Sequence, residues 1–139
     1  MPFRNPALSN PKARVQSFTV TQAIPHTDAA SANFYTTVYW IAPAKCVVDS
    51  VDARWNTAST SGTVTVHKVP SGTAPDSGTA LLSSTISTAG TADTTTAGTL
   101  SGTAATLELA DGDGLQLVDS GTLTNLVDLT VTVGLHWIV

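Results

Sequence analysis

The sequence predicts an all-β protein, and three observations lead to this fold class. Seven of the ten glycines precede a threonine, and five of those pairs belong to Ser-Gly-Thr triplets at 61–63, 71–73, 77–79, 101–103 and 120–122. Glycine permits the positive φ of tight turns, serine can cap such turns, and β-branched threonine suits the first position of a strand. Threonine fills 24 of the 139 positions, and apolar residues alternate with polar ones between the triplets. Short strands joined by tight turns are therefore predicted, without a helix.

Residues 1–14 are predicted to form an extended arm in front of a β-sandwich domain at 15–139. Prolines at positions 2, 6 and 11 prevent a helix in the arm and disfavour a central strand. The basic residues Arg4, Lys12 and Arg14 give residues 1–27 a charge of +3, whereas three bases and ten acids give the remainder a charge of −7. A basic arm therefore precedes an acidic body.

Two strands are predicted before residue 42. The first runs from Val15 to Ile24 and ends at Pro25, with apolar residues on one face. After a loop, Phe34 to Ile41 follows, with aromatic and β-branched residues on both faces. We expect this second strand to be buried on both sides.

The next two predicted strands show clear alternation. Cys46 to Asn56 is expected to be half exposed, since one face is apolar and the other carries an acid and a base. Its apolar face consists of Val47, Val51, Ala53 and Trp55, opposite Asp52 and Arg54. Thr63 to Val69 continues the pattern, with Val64 and Val66 inward and Thr65 and His67 toward solvent. The turn-rich stretch 70–79 follows.

The last third contains the longest alternating pattern. Shorter strands are predicted at Leu81 to Thr88, Gly98 to Leu100 and Thr106 to Leu109, and a tight turn at 110–114 separates the last of these from the next strand. From Leu126 to Ile138, apolar and polar residues alternate without a break, so one face must lie in the core. This strand is expected either in the middle of a sheet or at a subunit interface.

About eight strands result, with turns at intervals typical of sandwiches and rolls. We predict an antiparallel two-sheet sandwich of the jelly-roll type. An immunoglobulin-like sandwich is the alternative, but the sequence has no Cys-Trp-Cys pattern, because Cys46 is the only cysteine. Its valine neighbours predict a buried thiol.

Metal, cofactor and catalytic sites receive no support from the sequence. Asp111-Gly-Asp-Gly resembles the start of a calcium loop, but no later ligand has the required spacing, so a β-turn with two solvated aspartates is the better interpretation. His26, His67 and His136 lack metal-ligand spacing. No nucleophile, base and orienting group can be named together, so we predict a protein that is not an enzyme and has no cofactor.

Low charge suggests a surface that partners cover. Only 12% of residues are charged, about half the usual share. Three bases without interleaved aromatic residues are a weak footprint for nucleic acid, so the arm is either a disordered tail or a segment that docks on an acidic neighbour. No run of 18 apolar residues or signal-peptide core is present, which predicts no membrane partner and synthesis in a reducing cytoplasm.

Several stretches together resemble small virion proteins of tailed bacteriophages, namely head decoration or cement proteins. The resemblance spans roughly residues 45–139 and lies in pattern and composition. It is carried by Val51-Asp-Ala-Arg-Trp-Asn-Thr-Ala, Ser61-Gly-Thr-Val-Thr-Val-His-Lys-Val-Pro-Ser-Gly-Thr-Ala, Leu81-Leu, Gly98-Thr-Leu and Ala105-Thr-Leu-Glu-Leu-Ala-Asp-Gly-Asp-Gly-Leu-Gln-Leu. It implies a jelly-roll protein, made in the host cytoplasm, that binds the outer capsid surface, commonly as a trimer, and stabilises the shell.

Two sets of interface residues follow from this resemblance and the pattern together. The arm residues Phe3, Arg4, Lys12 and Arg14 are expected to contact the major capsid protein. An oligomer interface, of a homotrimer by the resemblance, is expected at Tyr39, Trp40, Trp137, Ile138 and Val139.

Two other functions stay open at this point. A head-fibre or tail domain could stack glycans on an exposed Trp40 with Tyr35 or Tyr39, although Trp55 and Trp137 lie on the apolar faces of their strands and are expected in the core. A head–tail connector component would replace three-fold by ring symmetry.

Overall fold

The computed structural model describes residues 17–24, for which it gives the backbone pairing, and residues 38–138. The predicted arm, the start of the second predicted strand and Val139 lie outside the described residues.

Ten strands lie within the described ranges, together with two single turns of helix. The turns are a 3-10 turn at Pro75–Ser77 and an α-helical turn at Ala104–Leu107. The strands are β1 Ser17–Ile24, β2 Val38–Ile41, β3 Cys46–Arg54, β4 Thr63–Val69, β5 Thr79–Ala80, β6 Ile86–Ser87, β7 Thr96–Ala97, β8 Glu108–Leu109, β9 Gly114–Ser120 and β10 Leu129–Trp137.

The strands form two antiparallel sheets, which confirms the predicted sandwich. One sheet has the order β1-β10-β3-β7, with β8 also on β3, and the other has the order β2-β9-β4-β5, with β6 also on β4. β5 and β6 share one edge of β4, and β7 and β8 share one edge of β3, so each pair acts as one interrupted strand. Eight strand positions result. β1 pairs with β10 and β2 with β9, while β3 and β4 pair with the interrupted strands between them, which is the jelly-roll arrangement.

The core lies between the two sheets. Trp55 is its largest buried side chain, and Cys46 is fully buried, as predicted. β10 lies between β1 and β3, so the last strand is internal to its sheet. Its alternation is confirmed by four fully buried side chains that project between the sheets: Leu129, Val131, Val133 and Leu135.

A β-bulge in β3 corrects the predicted facing of one valine. The register with β10 shifts between Gly134 and Leu135, where Ser50 and Val48 are the successive partners and Asp49 is left without one. The extra residue reverses the alternation. Val48 is therefore buried instead of Val47, which is only half-buried.

The turn at 110–113 does not close a hairpin, since it carries the chain from one sheet to the other. β8 before it pairs with β3, and β9 after it pairs with β4 and β2. The prediction of two solvated aspartates is wrong for Asp113, which is 8% exposed, and right for Asp111.

Several predicted strands are shorter or displaced. In place of the strand predicted at Gly98 to Leu100, the structure has β7 at Thr96–Ala97 and only an isolated bridge at Leu100. Within the predicted strand Thr106 to Leu109, only the last two residues are extended, because residues 104–107 form the helical turn. Lys68 Nζ stabilises that turn by donating to the carbonyl oxygens of Ala105 at 2.8 Å and Glu108 at 3.0 Å. Of Leu81 to Thr88, only Ile86–Ser87 is a strand.

Candidate interaction surface

One end of the sandwich is formed by the connection between β2 and β3, the turn at 110–113 and the end of β10. Three backbone hydrogen bonds hold these segments together. Ala42 N donates to Asp113 O at 2.8 Å, Gly112 N donates to Ala42 O at 2.8 Å, and Ile138 N donates to Lys45 O at 3.0 Å. The residues that flank this connection in sequence and in space therefore share one surface.

This surface exposes apolar side chains. Ile41 is 63% exposed and Ile138 is 38% exposed, and no other large apolar side chain between residues 38 and 138 is exposed. Pro43 and Ala44, in the connection between them, are exposed as well. We call this surface the apolar end; it consists of Ile41, Pro43, Ala44 and Ile138.

Four of the residues predicted for the oligomer interface lie in or near the apolar end, with different exposure, and the fifth, Val139, lies outside the described residues. Ile138 is exposed, whereas Tyr39, Trp40 and Trp137 are half-buried and pack against the core. Ile41 was missed, because a strand that is apolar on both faces predicts burial on both sides. Its position at the free end of β2, next to the exposed connection, leaves its side chain in solvent.

Tyr39 contributes packing and no acid–base chemistry. It lies at a register shift between β2 and β9, since Val38 pairs with Gln116 and Trp40 pairs with Leu115. Its hydroxyl is buried and has no hydrogen-bond partner among the described residues. Burial raises the pKa of Tyr39 well above its usual range, so the phenol stays neutral.

The charges around the apolar end are few. Lys45 and Glu108 form an ion pair with 2.5 Å between Nζ and Oε1, and both side chains are substantially exposed. Such a pair contributes little to stability. Asp111 is exposed, whereas the carboxylate of Asp113 points inward.

The basic arm precedes a residue located at this same end. Ser17, the first residue of β1, pairs with His136, which directly precedes Trp137 in β10. Residues 1–16 therefore connect to the sandwich beside the apolar end. The arm residues predicted to bind the capsid, Phe3, Arg4, Lys12 and Arg14, lie outside the described residues.

At the opposite end of the sandwich, the loops that the structure describes are polar. They are 56–62, 88–93 and 121–128, and no large apolar side chain is exposed in them. Ser59 Oγ and Thr88 Oγ1 are hydrogen-bonded at 2.7 Å in the interior of this end, and Asn56 Nδ2 donates to Asp128 Oδ2 at 3.5 Å on its surface. Within residues 38–138, the two ends of the sandwich therefore differ in chemistry.

The remaining reactive side chains form no described catalytic or metal centre. Burial, with a smaller effect from the charge of Asp113, raises the pKa of Cys46 to about 11, so the thiol stays protonated. His136 Nδ1 lies 2.8 Å from the Asp49 carboxylate, and His67 is half-buried on another strand. His26 is outside the described residues, and no group of three His, Cys, Asp or Glu within them could hold a metal ion.

Two further properties of the described residues concern membrane spanning and the stacking of glycans on aromatic rings. Within residues 17–24 and 38–138, no helix has the length and apolar character needed to span a bilayer. No aromatic side chain between residues 38 and 138 is exposed, and the predicted stacking residue Trp40 packs against the core. The other predicted stacking residues are Tyr39, which is half-buried, and Tyr35, which lies outside the described residues.

Comparison with known proteins identifies a shared fold. The sequence matches no protein-family model and no curated protein. The structure is similar to a chain of the cyanophage Pam1 capsid asymmetric unit, with a TM-score of 0.52 and 14% sequence identity. The similarity covers 89% of this chain and 85% of that chain. It therefore extends over nearly the whole of both chains.

Proposed function

We propose that this protein is a non-catalytic structural protein of a tailed-phage virion, which binds the outer surface of the capsid and stabilises the shell. The observation that carries this proposal is the fold shared with a chain of the cyanophage Pam1 capsid asymmetric unit over 89% of the present chain. Fold alone does not determine function, so the surface must also suit the role.

The apolar end supplies a surface suited to docking. Ile41 and Ile138 are exposed there, while the described loops of the opposite end are polar. Full burial of an exposed isoleucine side chain contributes roughly 1.5–3 kcal/mol, and docking would gain only part of this from each residue, because Ile41 is 63% and Ile138 38% exposed. A protein bound through this end would bury its exposed apolar residues against the capsid and leave its polar loops in water.

The basic arm supplies the second contact. Its three bases precede β1, and β1 begins at the same end as Ile138. Binding through the arm to acidic capsid residues would weaken as salt increases, because exposed charges are screened. An oligomer, which the sequence resemblance implies is a trimer, would present several arms at once and gain affinity through multivalency.

Co-sedimentation with phage heads assembled without this protein tests the proposal. We expect the full chain to sediment with the heads at saturable occupancy. Deleting residues 1–14, or replacing the bases by Arg4→Gln, Lys12→Gln and Arg14→Gln together, should lower occupancy and its salt dependence while the protein stays folded. Arg54→Gln, which removes an exposed base from the sandwich, is the matched control. Undiminished occupancy of the arm variants would contradict the role of the arm, and no sedimentation of the full chain would contradict the function.

A further inference from the structure

The two lateral sides of the sandwich are built differently. On one side the edge positions are occupied by two-residue strands, β5 and β6 in one sheet and β7 and β8 in the other. A bridge between Leu82 and Leu100 joins the segments that follow β5 and β7, and Lys68 on β4 binds carbonyl oxygens beside β8. On this side the edge strands are therefore short and interrupted, and contacts between segments of the two sheets hold the edges together.

The other lateral side has continuous edges. β1 pairs with β10 over all eight residues from Ser17 to Ile24 without a register shift, and β2 is the edge of the second sheet. No strand within the described residues pairs with the outer edge of β1 or of β2. The backbone groups of an edge strand are a template for pairing with another strand.

The sequence and pairing of β1 lack the usual protection against such pairing, whereas β2 is protected by its shortness and by its register shift. Soluble proteins place charged residues, proline or bulges on long edge strands to prevent association. β1 has the sequence SFTVTQAI and β2 has the sequence VYWI, which contain no charged residue and no proline. β2 is short and irregular in register, whereas β1 is long and regular.

From these observations we propose that β1 pairs in antiparallel fashion with β1 of a second copy of this chain. A second copy is the occupant that the sequence suits, because an uncharged strand meets no like charge when it pairs with itself. A two-fold axis perpendicular to the sheets would also bring the two β2 edges toward each other, since β1 and β2 lie on the same side. Both sheets would then meet their counterparts across one axis. The inference does not depend on the proposed function.

The proposed contact has two-fold symmetry, so it joins copies in pairs, whether these are single chains or trimers. Light scattering during size-exclusion chromatography of the full chain measures this directly. We expect wild type to contain an even number of copies and Thr21→Lys, in the middle of β1, to have half that mass. Ala97→Lys adds the same charge to exposed β7, at the opposite edge of the same sheet, and should keep the wild-type mass. A monomeric or trimeric wild type, or a Thr21→Lys variant of unchanged mass, would overturn the proposal.

Cysteine cross-linking provides a second test in case Thr21→Lys does not fold. Cys46 is buried and does not compete for oxidation. Single variants Thr19→Cys, Thr21→Cys and Ala23→Cys sample the β1 pairing, and Ala97→Cys is the control. At least one β1 variant should form a disulfide-linked pair at least ten times faster than the control. Equal rates for all four variants would overturn the contact.

Discussion

At the level of single residues, Asp113 connects its own turn at 110–113 to the loop after β4 and to the connection between β2 and β3. Its Oδ2 accepts a hydrogen bond from Ala110 N at 2.8 Å, its Oδ1 accepts one from Ser71 N at 3.2 Å, and its carbonyl oxygen accepts one from Ala42 N. In the sequence this aspartate resembles a calcium ligand, but in the structure its oxygen atoms accept hydrogen bonds from backbone N–H groups.

Asp113→Asn should therefore destabilise the protein. One carboxylate oxygen would become an NH₂ group facing a backbone donor, which should lower the free energy of unfolding by about 1–3 kcal/mol. Asp111→Asn, in the same turn but exposed, should change it by less than about 0.5 kcal/mol. Urea denaturation of both variants measures the difference, and equal stabilities would contradict the role of Asp113.

His67 makes stability depend on pH. The imidazole is half-buried, its Nδ1 has no hydrogen-bond partner among the described residues, and burial lowers the pKa of His67 below its ordinary value of 6.5. The unfolded chain therefore binds the proton more readily than the folded chain. As pH falls through 6.5, the free energy of unfolding should decrease, and the decrease should level off below the lowered pKa.

Denaturation at about pH 7.5 and about pH 5.5 tests this expectation. His67→Gln should remove the part of the acid-induced loss that is due to His67, whereas His136→Gln on β10 should leave that part in place. A loss of the same size in wild type and His67→Gln would contradict this assignment.

Among the elements, the Ser-Gly-Thr turns differ in what they require of glycine. Gly121 has a φ of 76°, and a Cβ there would lie 2.6 Å from Ser61 O. Gly102 stands in an identical triplet, but its φ is outside the left-handed region and a Cβ there would meet no atom within 4 Å. The triplet predicts a turn, whereas the need for glycine depends on its surroundings.

Alanine substitutions distinguish these two turns. Gly121→Ala should lower the free energy of unfolding by more than about 1 kcal/mol, because it combines a strained φ with a backbone clash. Gly102→Ala should leave stability unchanged or raise it by up to about 1 kcal/mol, since alanine restricts the unfolded chain. Thermal unfolding of the two variants provides the measurement, and a similar loss in both would show that the turns are equivalent.

The strands that alternate cleanly could be predicted from the sequence, and the irregular ones could not. β10 follows the predicted alternation closely, because it is paired on both sides and packs one face on the core. β4 departs from it, since Thr65, which the pattern places toward solvent, is buried like its neighbours Val64 and Val66. The bulge at Asp49 has no local signal, since it depends on the register between β3 and β10. The turn at 110–113 was located correctly, but its passage between sheets depends on long-range pairing that a local pattern does not contain.

At the scale of the whole molecule, function depends on asymmetry between surfaces. The sequence predicts Ile138 as an interface residue, and the structure places it at the same end of the sandwich as Ile41, which the pattern assigns to a buried strand. Trp40 and Trp137 are predicted at the same interface but pack against the core. A large aromatic residue near a strand end is equally consistent with a place in the core and with a place in a subunit interface. Only the tertiary structure distinguishes these two locations.

The most direct test of the central claim is a cryo-electron microscopy reconstruction of phage heads assembled without this protein and then saturated with it. The account predicts added sandwich-shaped density at regular positions on the outside of the shell, with the end that carries Ile41 and Ile138 toward the capsid. Heads without added density, or density confined to the tail vertex or fibres, would contradict a decoration role.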